Sequence, residues 1–238
     1  MLVAGFDTET TGLDTAKESI IEVGVVLWDT DRKAPLVTLS ALLDHKDRKP
    51  LDPKIVELTG ITDDDLTKYG RPAGGVLKRA NDIFEMADAI AAHNGNQFDK
   101  PMYLANCARL GVTPVDKLWV DTSCDIEFPP NITTRRQVHL AAEHGFVNPF
   151  PHRALFDVLT MLKITTHYDW EQILRYARSP SVTIIAETTF DQKELAKKQN
   201  YRWNPDAKKW TKTVKEFQVE EVTKAAKEAG FPIIVRAQ

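Results

Sequence analysis

Five residues in the first two thirds of the chain have side chains that could take part in a hydrolytic reaction. Asp7 and Glu9 follow an apolar segment and lie two positions apart, so both carboxylates would point to the same face of a β-strand. Neighbouring carboxylates repel each other unless a cation neutralises them, and hard divalent cations prefer oxygen ligands. The pair therefore indicates a metal site, with ordinary acidic residues of a polar turn as the alternative.

The other three residues are Asp99, His152 and Asp157. Asp99 begins a predicted helix, where capping the helix N-terminus is the alternative to binding a ligand. Asp157 lies in an apolar helical segment, in which a buried carboxylate needs a partner. His152 lies earlier on the same segment, about 500° of helix rotation away, so its ring would reach Asp157 only from a helix start or a loop. Taken alone, His152 could be an ordinary surface or core histidine.

The elements that must position these residues occupy the first 177 residues. Three successive segments rich in Val, Ile and Leu predict an antiparallel meander, and they are 2–7, 20–29 and 36–45. Further strands are predicted at 87–95 and 117–122, and helices at 53–60, 75–88, 99–111, 133–145 and 152–168. Strands followed by alternating helices and strands indicate an α/β fold with a mixed sheet.

Three segments resemble the motifs of the DEDD superfamily of 3′→5′ exonucleases. The first motif is matched by FDTETTGLD at 6–14, the second by HNGNQFDKPMYL at 93–104, and the third by HRALFDV at 152–158. The third has the His-x4-Asp form of the DEDDh branch, which includes the proofreading subunit of the bacterial replicative polymerase, ribonuclease T and exonuclease X. The resemblance covers roughly residues 1–175 and leaves no catalytic position unfilled.

This resemblance implies a ribonuclease-H-like fold, with a mixed five-stranded sheet flanked by helices. It also implies two Mg²⁺ or Mn²⁺ ions held by four carboxylates, with Asp7 bridging both ions and Glu9, Asp99 and Asp157 completing the sites. Two cations about 4 Å apart can serve both ends of an in-line displacement at phosphorus. His152 is implied as the general base on the attacking water, a role that a pKa near neutrality suits.

The same resemblance implies that residues after Glu9 meet the 3′ end of a nucleic acid, from which nucleoside 5′-monophosphates are released. Thr10 and Thr11 would offer hydroxyls to the 3′-OH, and the full set of substrate candidates is Thr8, Thr10, Thr11, Gly12, Asn94 and Phe98. Turn capping and core packing are the alternatives for the last two. Single-stranded DNA is the favoured substrate. RNA, or a non-catalytic docking role on the same scaffold, is the alternative.

Residues 182–238 are predicted to form a small α+β accessory domain after a linker at 178–181. Residues 181–238 contain 11 Lys and Arg against 8 Asp and Glu, whereas the chain as a whole has a net charge of -3. Cations interleaved with aromatic rings suit phosphate neutralisation and base stacking, and they are Lys193, Lys197, Arg202, Trp203, Lys208 and Trp210. The alternatives are two core tryptophans with solvated lysines, or a surface that docks a replication or recombination protein.

The composition restricts the remaining classes of protein. The chain has 238 residues, 42% hydrophobic and 27% charged, which is typical of folded globular domains rather than disordered chains. Two cysteines exclude a disulfide scaffold, and no apolar stretch approaches the roughly 20 residues that span a bilayer. We therefore expect no membrane partner and a cytoplasmic protein, in a bacterium or a phage-infected host.

Overall fold

The computed structural model describes residues 1–45, 48–189 and 192–237. The chain forms two compact units, Met1–Ala177 and Arg178–Gln238. We call them the first unit and the second unit. No helix among the described residues combines the length and the apolar character that crossing a membrane requires.

The first unit contains a mixed sheet of six strands. In chain order they are β1 (Leu2–Thr10), β2 (Ile20–Asp29), β3 (Ala34–Asp44), β4 (Arg71–Pro72), β5 (Ala89–Ala92) and β6 (Leu118–Asp121). The spatial order is β4-β3-β2-β1-β5-β6, in which β1, β2 and β3 are antiparallel neighbours and β5 and β6 continue parallel to β1. The mixed sheet is confirmed, and it has six strands rather than five because the two-residue β4 pairs with the end of β3.

Seven helices pack around this sheet among the described residues. They are α1 (Pro53–Thr59), α2 (Asp63–Tyr69), α3 (Ala73–Met86), α4 (Asp99–Leu110), α5 (Gln137–Glu143), α6 (Ala154–Thr165) and α7 (Trp170–Arg178). The predicted helix at 152–168 begins two residues later, which leaves His152 in the preceding loop. The predicted linker at 178–181 is shorter than expected, because α7 includes Arg178 and the next strand begins at Ser181.

The central strand β1 is buried on both faces. Ala4 and Phe6 belong to one core cluster, with α3 and α4, whereas Val3 belongs to a second cluster, with α6 and α7. Phe6 makes edge-to-face contacts with Phe84 at 5.3 Å between ring centroids, and with Tyr103 at 5.8 Å. Because β1 is held from both sides, the residues at its end have fixed positions.

Helix α6 approaches the sheet most closely at a glycine of β2. A Cβ atom added to Gly24 would lie 2.4 Å from the carbonyl carbon of Ala154 and 2.5 Å from the nitrogen of Leu155. Gly24 is the cross-strand partner of Asp7. The absence of a side chain at Gly24 therefore lets the first turn of α6 lie against the end of β1.

The second unit is a small α+β structure with its own core. Its elements are β7 (Ser181–Ala186), α8 (Lys193–Lys198), β8 (Arg202–Asn204), β9 (Lys209–Lys215), a short 3-10 turn (Glu216–Gln218), α9 (Val219–Glu228) and β10 (Ile233–Ala237). The strands form an antiparallel sheet in the order β10-β7-β9-β8. The small α+β structure expected from the sequence is thus present.

Candidate active site

Three carboxylates meet where the end of β1 faces the first turn of α6. Asp7 and Glu9 point to the same face of β1, and Asp157 lies on α6 opposite them. Each offers a carboxylate oxygen, and these oxygens all lie within 4.8 Å of one another. Strand alternation and the close approach of α6 at Gly24 together produce this cluster.

Asp99 lies beside this cluster at the start of α4. Its side chain is buried, and its carboxylate accepts a hydrogen bond of 2.9 Å from the hydroxyl of Thr8. Asp99 is not one of the three residues whose oxygens converge, but it lines the same cleft and its charge adds to the electrostatic repulsion at Asp7. The structure therefore brings all four predicted carboxylates into one cleft of about 470 Å³.

The environment of these carboxylates favours their neutral forms. Burial is the main cause, and it raises the pKa of Glu9 to about 8, of Asp99 to about 7 and of Asp157 to about 6. The pKa of Asp7 is also raised well above its ordinary value, first by burial and then by the charges of Asp99 and Asp157. Without a cation, these four clustered carboxyl groups resist ionisation. With one, their oxygens are a suitable ligand set for hard divalent cations.

The metal-free protein is therefore expected to lose stability as the pH rises. The raised pKa values of Glu9, Asp99 and Asp157 mean that the folded state keeps protons that the unfolded state releases between about pH 4 and pH 8. The free energy of unfolding should fall across this range. Thermal unfolding in EDTA should give a lower Tm at pH 8 than at pH 5, and Mg²⁺ should restore much of the difference.

Two variants serve as controls for this pH dependence. Asp7→Asn removes one of the clustered carboxylates and should make Tm less dependent on pH. Asp64 is an exposed carboxylate on α2, and Asp64→Asn should behave like the parent protein. A Tm in EDTA that stays constant or rises from pH 5 to pH 8 would contradict the raised pKa values.

His152 lies in the loop just before α6 and lines the same cleft. Its backbone has a φ of 63°, in the left-handed region that residues other than glycine seldom adopt. The side chain of His152 is exposed. Burial of Asp157 raises the pKa of that carboxyl, and a positive charge on His152 would lower it by a smaller amount. A helix continuing back to 152 would have rotated the two side chains apart, so the late start of α6 is what lets both face the cleft.

The start of α6 is anchored by an ion pair between the half-exposed Arg153 and the buried Glu22, which the sequence analysis did not identify. Glu22 on β2 is 1% exposed and accepts hydrogen bonds from Arg153 Nη2 at 2.8 Å, Arg153 Nε at 3.1 Å and the backbone N–H of Ala154 at 3.0 Å. An acidic residue within the apolar strand IIEVGVVL was the available signal, because a buried carboxylate needs a partner. The pair holds the backbone between His152 and Asp157.

Asp157 has two further polar neighbours. The amide of Asn148 donates a hydrogen bond of 2.8 Å to its carboxylate, and the amide of Gln137 donates one of 2.7 Å to its backbone carbonyl. Both residues come from the segment that precedes His152 in the chain. They restrict the orientation of Asp157, and neither was singled out from the sequence.

The predicted substrate residues differ in their positions. Thr8, Thr10, Gly12, Asn94 and Phe98 all line the cleft, although the hydroxyl of Thr10 donates to the carbonyl of Gly12 at 2.7 Å. Thr11 is not among the described residues that line it. Its hydroxyl instead donates to the carboxylate of Glu18, away from the carboxylate cluster. A contact between the Thr11 hydroxyl and a 3′-OH stays a prediction.

The cleft also has apolar residues at its margin that the sequence analysis did not identify. Leu13 is 85% exposed, Leu58 on α1 is 51% exposed and Val138 on α5 is 52% exposed. Arg136 lines the cleft beside Val138. These residues are far apart in the sequence and only the tertiary fold brings them together, so no local pattern could have selected them. Exposed apolar side chains around a polar floor suit a ligand with both flat and charged parts.

Comparison with known proteins assigns the chain to a family. The model of the RNase_T family, described as exonuclease, matches residues 4–165. The DNA polymerase III subunit epsilon of Treponema pallidum is 30% identical over 186 residues, which cover 74% of this chain and 83% of that protein. The PolC-type DNA polymerase III of Listeria welshimeri is 30% identical over 169 residues, which cover 71% of this chain and 11% of that protein. The chain thus spans about a tenth of the PolC-type polymerases it matches.

Solved structures with similar folds agree with this assignment. E. coli ExoI, in a complex with single-stranded DNA, has a TM-score of 0.68 at 14% identity, covering 96% of this chain and 69% of that chain. The nuclease domain of 3′hExo, a DEDDh family member bound to rAMP, has a TM-score of 0.59 at 19% identity, covering 70% of this chain and 90% of that chain. The family match includes all three acidic motifs, and the chain belongs to the RNase_T family of exonucleases.

Proposed function

We propose that the protein removes nucleoside 5′-monophosphates from the 3′ ends of single-stranded DNA in a reaction that depends on two divalent cations. The observation that supports this most strongly is the convergence of Asp7, Glu9 and Asp157, with Asp99 beside them, in a cleft that His152 also lines. Carboxylates of this number and spacing are suited to phosphodiester hydrolysis assisted by cations.

The four carboxylates would hold the cations. Asp7, Glu9 and Asp157 would hold one ion, and Asp7 and Asp99 would contribute to the second. Bound Mg²⁺ or Mn²⁺ would supply charge neutralisation and a more acidic water. The hydrogen bonds to Asp99 from Thr8 and to Asp157 from Asn148 keep these two carboxylates oriented before any ligand enters.

His152 is the candidate general base. Its exposed imidazole lies at the cleft, where a neutral ring nitrogen can accept a proton from the attacking water. The Glu22–Arg153 ion pair acts as a positioning device for this loop, since it holds the residue that directly follows His152.

The margin of the cleft supports a single-stranded substrate. Exposed Leu13, Leu58 and Val138 can contact the faces of bases that are not paired or stacked in a duplex. The bound single-stranded DNA of E. coli ExoI and the similarity to a polymerase III epsilon subunit favour DNA. The rAMP bound to 3′hExo makes RNA the second candidate.

One experiment tests both the reaction and the substrate. DNA and RNA oligonucleotides labelled at the 5′ end, single-stranded and double-stranded, are incubated with Mg²⁺, Mn²⁺ or EDTA, and the products are resolved on a denaturing gel. We expect a ladder that shortens from the 3′ end, that forms fastest on single-stranded DNA and that requires the metal. The Asp7→Asn variant should produce no ladder, whereas the Asp64→Asn variant on α2 should produce the same ladder as the parent.

The other outcomes are equally informative. If RNA is degraded faster than DNA, the preferred substrate is RNA rather than DNA. Products from internal cleavage would show an endonuclease, and cleavage in EDTA would exclude a requirement for divalent cations. A folded protein that degrades none of these substrates would overturn the proposed reaction and favour a binding role for the cleft.

A further inference from the structure

We propose that the second unit carries its own binding site for single-stranded nucleic acid, in which an unpaired base stacks on Trp203 and the adjacent phosphates contact lysines. This site is separate from the carboxylate cleft and goes beyond the proposed hydrolysis. It lies in a pocket of about 520 Å³, and its lining residues are Ala186, Thr188, Thr189, Lys193, Lys197, Trp203, Lys208, Lys209 and Trp210.

The floor of this pocket is formed across three strands. Trp210 on β9 is the cross-strand partner of Ala186 on β7 and of Trp203 on β8, so the three side chains lie side by side on one face of the sheet. The two indole rings lie 5.7 Å apart between centroids at an interplanar angle of 61°. Ala186 is buried in the core of the second unit, so the exposed part of this floor is the ring of Trp203 on the edge strand.

The two tryptophans have different roles in the second unit. Trp210 is half-buried and packs against the core cluster that includes Val182, Ile184 and Tyr201. Trp203 lies on the edge strand β8, is 51% exposed and is not part of that cluster. The interpretation that both tryptophans form the core therefore fails for Trp203. A large ring left half-exposed beside a pocket is available to stack on a base.

The lining of the pocket is cationic. Lys193 and Lys197 come from α8, Lys208 comes from the turn between β8 and β9, and Lys209 is the first residue of β9. No acidic side chain lines it among the described residues, although Glu194 pairs with Lys197 at 2.7 Å. Four ammonium groups around an aromatic floor match the alternating phosphates and bases of a single strand.

Arg202 is the exception among the six residues predicted for this patch. It precedes Trp203 on β8 and therefore points to the opposite face of the strand, and it is not among the described residues that line the pocket. Lys209 also lines the pocket. Five of the six predicted residues thus face one pocket.

Binding to a fluorescein-labelled oligothymidylate, measured by fluorescence anisotropy on the full chain, tests this site. An Asp7→Asn background prevents cleavage during the titration. Trp203→Ala should weaken binding by about 5- to 100-fold, the range expected for losing one stacked base, and Trp203→Phe should recover most of the affinity. Tyr69, an exposed aromatic residue of α2, is the matched control, and Tyr69→Ala should leave the affinity unchanged.

The lysines are tested through the dependence of binding on salt. Lys193→Gln should reduce the slope of log Kd against log salt by about 0.7, the value for one phosphate contact on a single strand. Lys224 on α9 is exposed and outside the pocket, and Lys224→Gln should keep the parent slope. Circular dichroism and Tm establish that each variant is folded.

Two results would overturn the proposal. One is an affinity and salt slope that stay at parent values in both Trp203→Ala and Lys193→Gln. The other is an equal loss in the control variants, which would indicate a general effect of charge or stability. Repeating the titration with oligodeoxyuridylate and with oligouridylate, which differ only in the sugar, shows whether the sugar matters, and tighter binding of either strand supports a site for single-stranded nucleic acid.

Discussion

Replacing Asp7 with asparagine is expected to lower kcat by about 10³-fold or more while the protein stays folded. Asp7 is the carboxylate that both proposed cation sites share, because it lies in the cluster with Glu9 and Asp157 and also interacts with Asp99. An asparagine keeps the size of the side chain but provides only one neutral oxygen. Loss of several kcal/mol of transition-state stabilisation corresponds to this reduction in rate.

The measurement is kcat on single-stranded DNA over a range of Mg²⁺ concentrations, together with Tm in EDTA. Asp7→Asn should remain slow at every Mg²⁺ concentration. Its Tm in EDTA near pH 8 should equal or exceed that of the parent, because a carboxylate that resists ionisation has been removed. Asp64→Asn is the control for kcat. Substantial residual activity in Asp7→Asn would reject the assignment of Asp7 as the shared ligand.

Replacing His152 with alanine is expected to lower kcat by about 10²–10⁴-fold, the usual contribution of a general base. His152 lines the cleft but is not part of the three-carboxylate cluster, so metal binding should survive. The increase of Tm that Mg²⁺ produces should therefore match that of the parent. A lower kcat together with an unchanged increase of Tm in Mg²⁺ would show that His152 transfers protons and does not bind the metal.

The pH profile gives the second measurement on His152. A general base contributes to the pH dependence of kcat, so the profile of His152→Ala should differ in shape from that of the parent. His139 is exposed on α5 and does not line the cleft, so His139→Ala is a matched control with parent activity. Parent and His152→Ala profiles of the same shape would reject His152 as the base.

Local patterns left an alternative open for Asp7, Glu9 and Asp99, and the resemblance of three segments to known motifs is what selected the four carboxylates. Strand alternation places Asp7 and Glu9 on one face, and the fold brings Asp99 and Asp157 to the same cleft. The register between β1 and β2 shifts just after these two carboxylates, between Glu9 and Thr10. Thr11 lies beyond this irregularity and donates to Glu18, and its contact with a substrate stays a prediction.

Other features depend on tertiary contacts that no local pattern contains. Leu58 and Val138 come from different helices and meet only across the cleft. Helix α2 was missed because its sequence, DDDLTKY, has little apolar character, and a reciprocal capping bond between Thr62 and Asp65 stabilises its start. In that case the signal was present in the sequence as a capping box.

Gly24 makes the active site sensitive to mutation at a position that has no chemistry of its own. The atoms closest to an added Cβ belong to the backbone of Ala154 and Leu155, so no side-chain rotation could make room for a methyl group. Any larger residue must push α6 away from the sheet, and α6 carries Asp157. Random mutagenesis scored by loss of activity should therefore recover Gly24 together with the carboxylates, although Gly24 contributes no ligand and no proton.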